Sequence, residues 1–62
     1  MNFRLDITLD PTAPADTTIR ELGRILRYWA GNLHHYDLTP GTRETVTDSS
    51  YTPVGTWEIT ES

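Results

Sequence analysis

Residues 19–29 read IRELGRILRYW, and this stretch decides how the rest of the chain is organised. Its apolar residues recur at spacings of 3 and 4 and continue one step beyond it, at Ile19, Leu22, Leu26, Trp29 and Leu33. At about 100° per residue these positions form one stripe along a helix, with Ile25 beside it. Such a stripe must be covered by a second layer of structure.

The sequence on either side sets the ends of this helix. Thr18 and Glu21 have the S/T-x-x-E spacing of a capping box, and two more residues that cap helices precede them. Leu33 keeps the apolar register, whereas the Pro-Gly pair at 40–41 signals a turn. We predict a helix over about residues 16–34.

Three strands are predicted around the helix. Residues 3–10, FRLDITLD, alternate apolar and polar side chains, which is typical of a strand with one buried face. Residues 42–48 are rich in threonine, and residues 54–60 place Trp57 and Ile59 on one face. Between these two segments, SSYTP is expected to form a turn.

The element order β-α-β-β predicts a single α+β domain over residues 1–62. Neither one helix nor a three-stranded sheet can bury its apolar face alone, so the helix is expected to pack on one face of the sheet. A hairpin of the second and third strands, with the first strand beside the third, gives an antiparallel sheet of order 2-3-1. The most buried residues are predicted to include Leu5, Ile7, Leu22, Leu26, Trp29, Trp57 and Ile59.

The composition excludes several kinds of protein. The chain has 62 residues and no cysteine, which rules out disulfides and cysteine-based zinc sites. Its formal net charge of -4 counts against nucleic acid as a partner, because phosphate binding draws on a surplus of Lys and Arg. No apolar run is long enough to cross a membrane, and because the opening residues alternate apolar and charged side chains we expect them not to form a signal peptide. We expect the protein to act in the cytoplasm.

Three of the five basic residues lie on the predicted helix, at Arg20, Arg24 and Arg27. A helical wheel places them opposite the apolar stripe and away from the core. Two interpretations stay open: a solvated face, or a face that docks on a partner protein, where arginine is enriched. The candidate partner-binding residues are Arg20, Arg24, Arg27, Tyr28 and Trp29.

No catalytic, cofactor or metal site is predicted. His34 and His35 are adjacent, so on a helix they point about 100° apart and are poorly placed to grip one ion. A favourable interaction with the helix dipole is the alternative interpretation. The chain also lacks a glycine-rich phosphate loop and a serine with an evident base, so we predict that it is not an enzyme.

The sheet face away from the helix is expected to carry threonine side chains and one valine, at Thr8, Thr45, Thr47, Val54, Thr56 and Thr60. This face is either solvated or a flat binding surface. A domain this small often needs a partner subunit for stability. We therefore predict a homodimer, joined through the helix flank at Tyr28 and Trp29 or by pairing of an edge strand, strand 1 or strand 2.

The sequence resembles a set of small accessory proteins of unknown function from tailed phages and prophages of actinobacteria, of the mycobacteriophage type. The likeness lies in three segments: the first strand, in which apolar residues alternate with acidic ones, the segment REL-GRILR of the helix, and the closing VGTWEIT. The matching residues are Glu21, Leu22, Arg24, Ile25, Leu26 and Arg27 in the helix and Asp48, Val54, Gly55, Trp57 and Ile59 in the closing hairpin. SSYT stands where the set usually has an Asn-Gly turn. The resemblance implies a phage origin and a β-α-β-β fold.

These observations predict a non-enzymatic phage accessory protein that binds a host or phage protein in the host cytoplasm and modulates host physiology or defence. Two other functions stay open at this point. One is a nucleic-acid-associated or DNA-mimic regulatory protein, and the other is a minor structural protein of the virion.

Overall fold

The computed structural model describes residues 1–62 and contains one helix and three strands. The elements follow in the order β1 (Asn2–Ile7), α1 (Ala15–Asn32), a single 3₁₀ turn (Leu33–His35), β2 (Arg43–Thr47) and β3 (Pro53–Thr60). Neither α1 nor the short turn after it has the length and apolar character needed to span a membrane.

The strands form one antiparallel sheet of order β1-β3-β2. Leu5 lies opposite Trp57 and Phe3 opposite Ile59 between β1 and β3, while Val46 lies opposite Gly55 between β2 and β3. Trp57 and Ile59 thus fall in the central strand. The predicted α+β fold and the predicted strand order are confirmed.

Two element ends differ from the sequence prediction by more than one residue. β1 ends at Ile7 because Asp10 starts a turn, in which its Oδ1 accepts hydrogen bonds from Thr12 N–H at 2.9 Å and Thr12 Oγ1 at 2.7 Å. α1 ends at Asn32, whose side-chain Nδ2 donates to Tyr28 O at 2.6 Å. The chain then tightens into the 3₁₀ turn.

The predicted capping box is wrong. α1 is preceded by Pro14 at the N-cap position, and no side chain caps its first turn. The carboxylate of Glu21 instead accepts hydrogen bonds from Arg24 and from Ser49 N–H. A tertiary contact with the hairpin therefore replaces the local contact that the spacing suggested.

The core is centred on four buried side chains, Ile25, Val46, Trp57 and Ile59. Leu5, Ile7 and Trp29 are partly buried and pack against this cluster. Trp29 and Trp57 meet edge to face with ring centroids 5.4 Å apart. The helix contributes Ile25, from beside the predicted stripe, as its one fully buried residue.

The prediction that Leu26 belongs to the core is wrong. Leu26 is 50% exposed and Ile19 is 67% exposed, although both lie in the predicted stripe. The helix is rotated so that Ile25 faces the sheet, which also turns Arg24 and Glu21 towards the hairpin.

Val54 also differs from its expected position on the outer sheet face. It is partly buried and packs against the core cluster. The pairing of β2 with β3 shifts register between Val46 and Thr47, which marks a bulge or irregularity in the ladder. Such a shift alters the strict alternation from which the outer face was predicted.

Gly55 permits a close approach of β1 and β3. A Cβ atom at this position would collide with the backbone carbonyl of Asp6 and lie 2.9 Å from the Ile7 Cα atom. Because the obstructing atoms belong to backbone, a side chain here would force the strands apart.

Candidate functional site

A groove lies between α1 and β2, the strand at one edge of the sheet, and encloses about 510 Å³. We call it the aromatic groove. Its principal lining residues are Arg24, Tyr28, Trp29, Tyr36, Glu44 and Tyr51. Three tyrosines and a tryptophan thus converge on one surface of a very small molecule, and aromatic side chains of this kind are enriched in protein interfaces.

The inner wall of the aromatic groove rests on the core. The Trp29 ring contacts Trp57, and Tyr36 meets Trp57 edge to face with centroids 5.2 Å apart. The 3₁₀ turn makes this possible because it reverses the chain after α1 and directs Tyr36 back to the sheet. Tyr28 meets Trp29 edge to face at 5.1 Å and extends the wall outward.

Tyr36 also joins the groove to β2. Its Oη donates a hydrogen bond to Glu44 Oε2 at 3.0 Å. Burial of the phenol raises the pKa of Tyr36 above its usual value, and the bond to Glu44 and the charge of that carboxylate add to this effect. Tyr36 is therefore a neutral donor near pH 7 and holds Glu44 in place.

One end of the groove is closed by a bridge between α1 and the hairpin. Arg24 donates to Glu21 Oε1 from Nε at 3.1 Å and Nη2 at 2.8 Å, and Nη2 also donates to Thr47 O at 3.1 Å. The same Glu21 oxygen accepts Ser49 N–H at 2.7 Å. The hydrogen bond from Arg24 holds the pKa of Glu21 below its usual value, with Ser49 N–H assisting against the opposing effect of desolvation.

Tyr51 forms the rim of the groove and is 86% exposed. Its backbone has φ 62°, in the left-handed region that favours glycine. Asp48 fixes the surrounding turn, because its Oδ1 accepts Ser50 N–H at 2.8 Å and Thr52 N–H at 3.0 Å. An exposed aromatic residue in an unfavourable conformation is a reasonable indicator of function.

The strand beside the groove has unpaired backbone groups. Ile59 N–H donates to Thr42 O at 2.8 Å, so the alternation of the ladder directs the backbone of Glu44 towards β3. The N–H and C=O groups of Arg43 and Thr45 therefore point outward. We call these groups the β2 edge.

The sequence-predicted partner-binding residues separate into two groups. Arg24, Tyr28 and Trp29 line the aromatic groove. Arg20 and Arg27 are exposed outside it, and the Arg27 guanidinium lies over Gly23, with Nη1 3.0 Å from where a Cβ of residue 23 would be. Arg24 does not point away from the core as predicted, because it is bound to Thr47 O. Arg24 is therefore engaged by Glu21 and the hairpin, whereas Arg20 and Arg27 lie on the exposed side of α1.

Sequence reasoning missed Tyr36 and Tyr51 as site residues. Both follow the end of a regular element, where periodicity gives no direction to a side chain. A weak signal was present in Tyr51, because a tyrosine in a short turn between strands is unusual compared with glycine or asparagine.

The structure brings together no group of three or more histidine, aspartate and glutamate side chains that could hold a metal ion. The rings of His34 and His35 are exposed, with centroids 3.9 Å apart. A second cavity of about 280 Å³ lies between the start of α1 and the ends of β1 and β3, and Leu9, Leu22 and Val54 are among its lining residues.

No protein-family model, curated protein or solved structure matches this chain. The resemblance to phage accessory proteins therefore stays a prediction, and the functional conclusion depends on the geometry of the aromatic groove and the β2 edge.

Proposed function

We propose that this chain is a non-enzymatic protein-binding module that captures an extended segment of another protein in the aromatic groove. One observation carries the proposal: the unpaired β2 edge runs beside a groove lined by Tyr28, Trp29, Tyr36 and Tyr51. A bound segment adds a strand to the sheet through backbone hydrogen bonds, and pockets beside the strand select its side chains.

The backbone of β2 supplies the attachment points. The outward N–H and C=O groups of Arg43 and Thr45 pair with the added strand. The next outward carbonyl, Thr47 O, is occupied by Arg24, so pairing stops at the bridge. The added strand is therefore short, and its alternate side chains enter the aromatic groove.

The charge of the groove defines the kind of segment. Glu44 and Asp48 line it as carboxylates, while Arg24 is engaged by Glu21. The chain as a whole has a net charge of -4. A basic segment with alternating apolar side chains is complementary to such a site.

The biological setting that we propose follows from the resemblance to phage accessory proteins. The partner is a host or phage protein, the place is the host cytoplasm, and the effect is modulation of host physiology or defence. Self-association into a homodimer is a separate proposal, because capture of a segment in the aromatic groove does not require it. Nucleic-acid gripping is disfavoured because Arg24 is paired with Glu21 and the chain has a net charge of -4. No particular contact favours a virion component.

A display library of short random peptides, selected on the immobilised chain, tests the proposal without knowledge of the natural partner. We expect the selected peptides to combine Lys or Arg with alternating apolar residues. Thr45→Pro removes one outward N–H and should leave the ladder to β3 intact, because proline is tolerated on edge strands. We expect it to weaken peptide binding by about tenfold, the value of one hydrogen bond.

Three further variants make the result specific. Thr45→Ala keeps the N–H group and should bind like wild type, as should Arg20→Ala outside the groove. Tyr28→Ala should bind weakly. Selected peptides that bound Thr45→Pro and Tyr28→Ala as tightly as wild type would locate the interaction elsewhere and reject the groove.

A further inference from the structure

The outer edge of β1 is the second unpaired strand edge of the molecule. Thr8 N–H donates to Val54 O at 2.7 Å, next to the pair of Ile7 with Gly55. Because hydrogen-bonded and non-hydrogen-bonded pairs alternate in an antiparallel ladder, the even-numbered residues of β1 direct their backbone groups towards β3. The N–H and C=O groups of Phe3, Leu5 and Ile7 therefore point outward, and we call them the β1 edge.

An apolar flank of α1, formed by Ile19, Leu22 and Leu26, lies on the same side of the molecule as the β1 edge. Tyr28 faces the groove beside β2, and the helical repeat places Ile19 and Leu26 on the opposite side of α1. Phe3, on the inner face of β1, is 47% exposed. Free backbone groups and uncovered apolar side chains thus occur together.

The charges on the outer face of β1 indicate what covers this side. Arg4 and Asp6 flank Leu5 on this face. Arg4 lies opposite Glu58 of β3 and its Nη2 donates to Ser62 O at 3.5 Å, but neither Arg4 nor Asp6 is in a close ion pair, since the one such pair joins Arg24 to Glu21. In an antiparallel pair of β1 strands with Leu5 opposite the partner's Leu5, Arg4 lies opposite the partner's Asp6. Two-fold symmetry repeats this pair, and opposite charges facing each other across strands are stabilising.

We propose that the protein forms a two-fold symmetric homodimer in which the two β1 strands pair antiparallel about Leu5. Phe3 then faces the partner's Ile7 on the inner side, and each outward residue of the β1 edge joins a hydrogen-bonded pair. The two sheets become one sheet of six strands. Both helices lie on the same face of it, and their apolar flanks face each other across the axis.

Neighbouring registers are opposed by charge. The two neighbouring registers that still pair the outward groups of the β1 edge are reached by sliding one strand along the other by two residues. In one direction, this slide brings Arg4 opposite the partner's Arg4. In the other direction it brings Asp6 opposite the partner's Asp6. Like charges directly opposite each other destabilise a strand pair, so the register about Leu5 is selected by its own side chains.

A charge exchange tests the register. Wild type is expected to sediment as a dimer at micromolar concentration. Arg4→Asp and Asp6→Arg should each raise the dissociation constant by about tenfold or more, because each change acts at two symmetry-related positions. The double variant Arg4→Asp, Asp6→Arg should restore dimerisation. Urea denaturation of each variant as a monomer separates this effect from the loss of the Arg4 charge opposite Glu58 in β3. Arg43→Glu, on the other edge of the sheet, is the control and should leave the mass unchanged.

Amide hydrogen exchange of the wild-type protein gives a second measurement that needs no variant. The amides of Phe3, Leu5 and Ile7 should become protected as the protein concentration rises, whereas those of Arg43 and Thr45 should not. A monomer mass throughout the micromolar range, an unrestored double variant, or rapid exchange of those three amides in a dimeric sample would overturn the inference. This interface lies on the opposite edge from the aromatic groove, so peptide binding by a monomer would leave the proposed function standing and reject the dimer alone.

Discussion

At the scale of single residues, Tyr51 combines a positive φ, which is unfavourable for a bulky residue, with a side chain that is largely exposed. Its side chain is 86% exposed, so burial does not explain why a bulky residue occupies the left-handed region. The Asp48 side chain holds the turn by accepting hydrogen bonds from Ser50 N–H and Thr52 N–H, on either side of Tyr51. The proposed contact of this ring with a segment bound in the aromatic groove accounts for both facts.

Tyr51→Gly is expected to raise the free energy of unfolding by about 1 kcal/mol, because glycine adopts positive φ without the steric penalty of a Cβ atom. The same variant should bind a groove-selected peptide more weakly. Urea denaturation and fluorescence anisotropy measure the two effects. A variant less stable than wild type would mean that the ring contributes to folding instead.

Ile25 and Leu26 are adjacent residues with opposite environments, and they make a matched pair. Ile25→Ala is expected to lower the free energy of unfolding by about 2–5 kcal/mol, since its side chain is buried in the core. Leu26→Ala should change the stability of the monomer by about 1 kcal/mol or less, because half of the side chain is exposed. Denaturation at concentrations below the dimer dissociation constant compares them. Equal losses would contradict the rotation of α1 that buries Ile25.

At the scale of elements, two glycines occupy opposite surroundings. At Gly31 in α1 a Cβ atom would meet no neighbouring atom within 4 Å, whereas a Cβ at Gly55 meets the backbone of β1. Gly31→Ala should therefore stabilise the fold by up to about 1 kcal/mol through helix propensity. Gly55→Ala should destabilise it and loosen β1, as seen by melting temperature and by amide exchange of β1. Equal effects of the two substitutions would argue against the close approach of β1 to β3.

The bridge from α1 to the hairpin, in which Glu21 binds Arg24 and Ser49, should make the free energy of unfolding depend on pH. The pKa of Glu21 is lowered from 4.5 in the folded chain, so the unfolded chain holds the proton more tightly. The stabilisation is present above about pH 4.5 and is lost as the pH falls through the lowered value. Glu21→Gln should flatten this part of a stability-against-pH curve, with Glu61→Gln as an exposed control. An unchanged curve would show that the bridge is not maintained in solution.

The elements and their order could be predicted because period and alternation are local properties of a sequence. FRLDITLD alternates strictly, and the helical repeat of 19–33 is regular. The rotation of α1 could not be predicted in the same way, since Ile25 and Leu26 are both apolar and only the sheet decides between them. The aromatic groove could not be predicted for a similar reason, because Tyr36 and Tyr51 are positioned by turns that bring distant segments together.

At the scale of the whole molecule, the strand order places the two unpaired edges on opposite sides. The two edges differ in character. The β1 edge is accompanied by large apolar side chains and by two side chains of opposite charge, Arg4 and Asp6. The β2 edge is bordered by aromatic rings, and Arg24 occupies one of its carbonyls. In the two proposals made above, one side binds a second copy of the chain and the other binds a different protein.

Because β1 and β2 lie at opposite edges, a dimer joined through β1 carries one groove at each end of its sheet, and the assembly is bivalent. Once one end is engaged with a surface that displays the target densely, the second groove meets a high local concentration of it. Dissociation from such a surface should therefore be slower for wild type than for the monomeric Arg4→Asp variant, while both bind a free peptide in solution equally. A target that presents its segment in many copies, as an oligomer or a filament does, would be held far more firmly than an isolated copy.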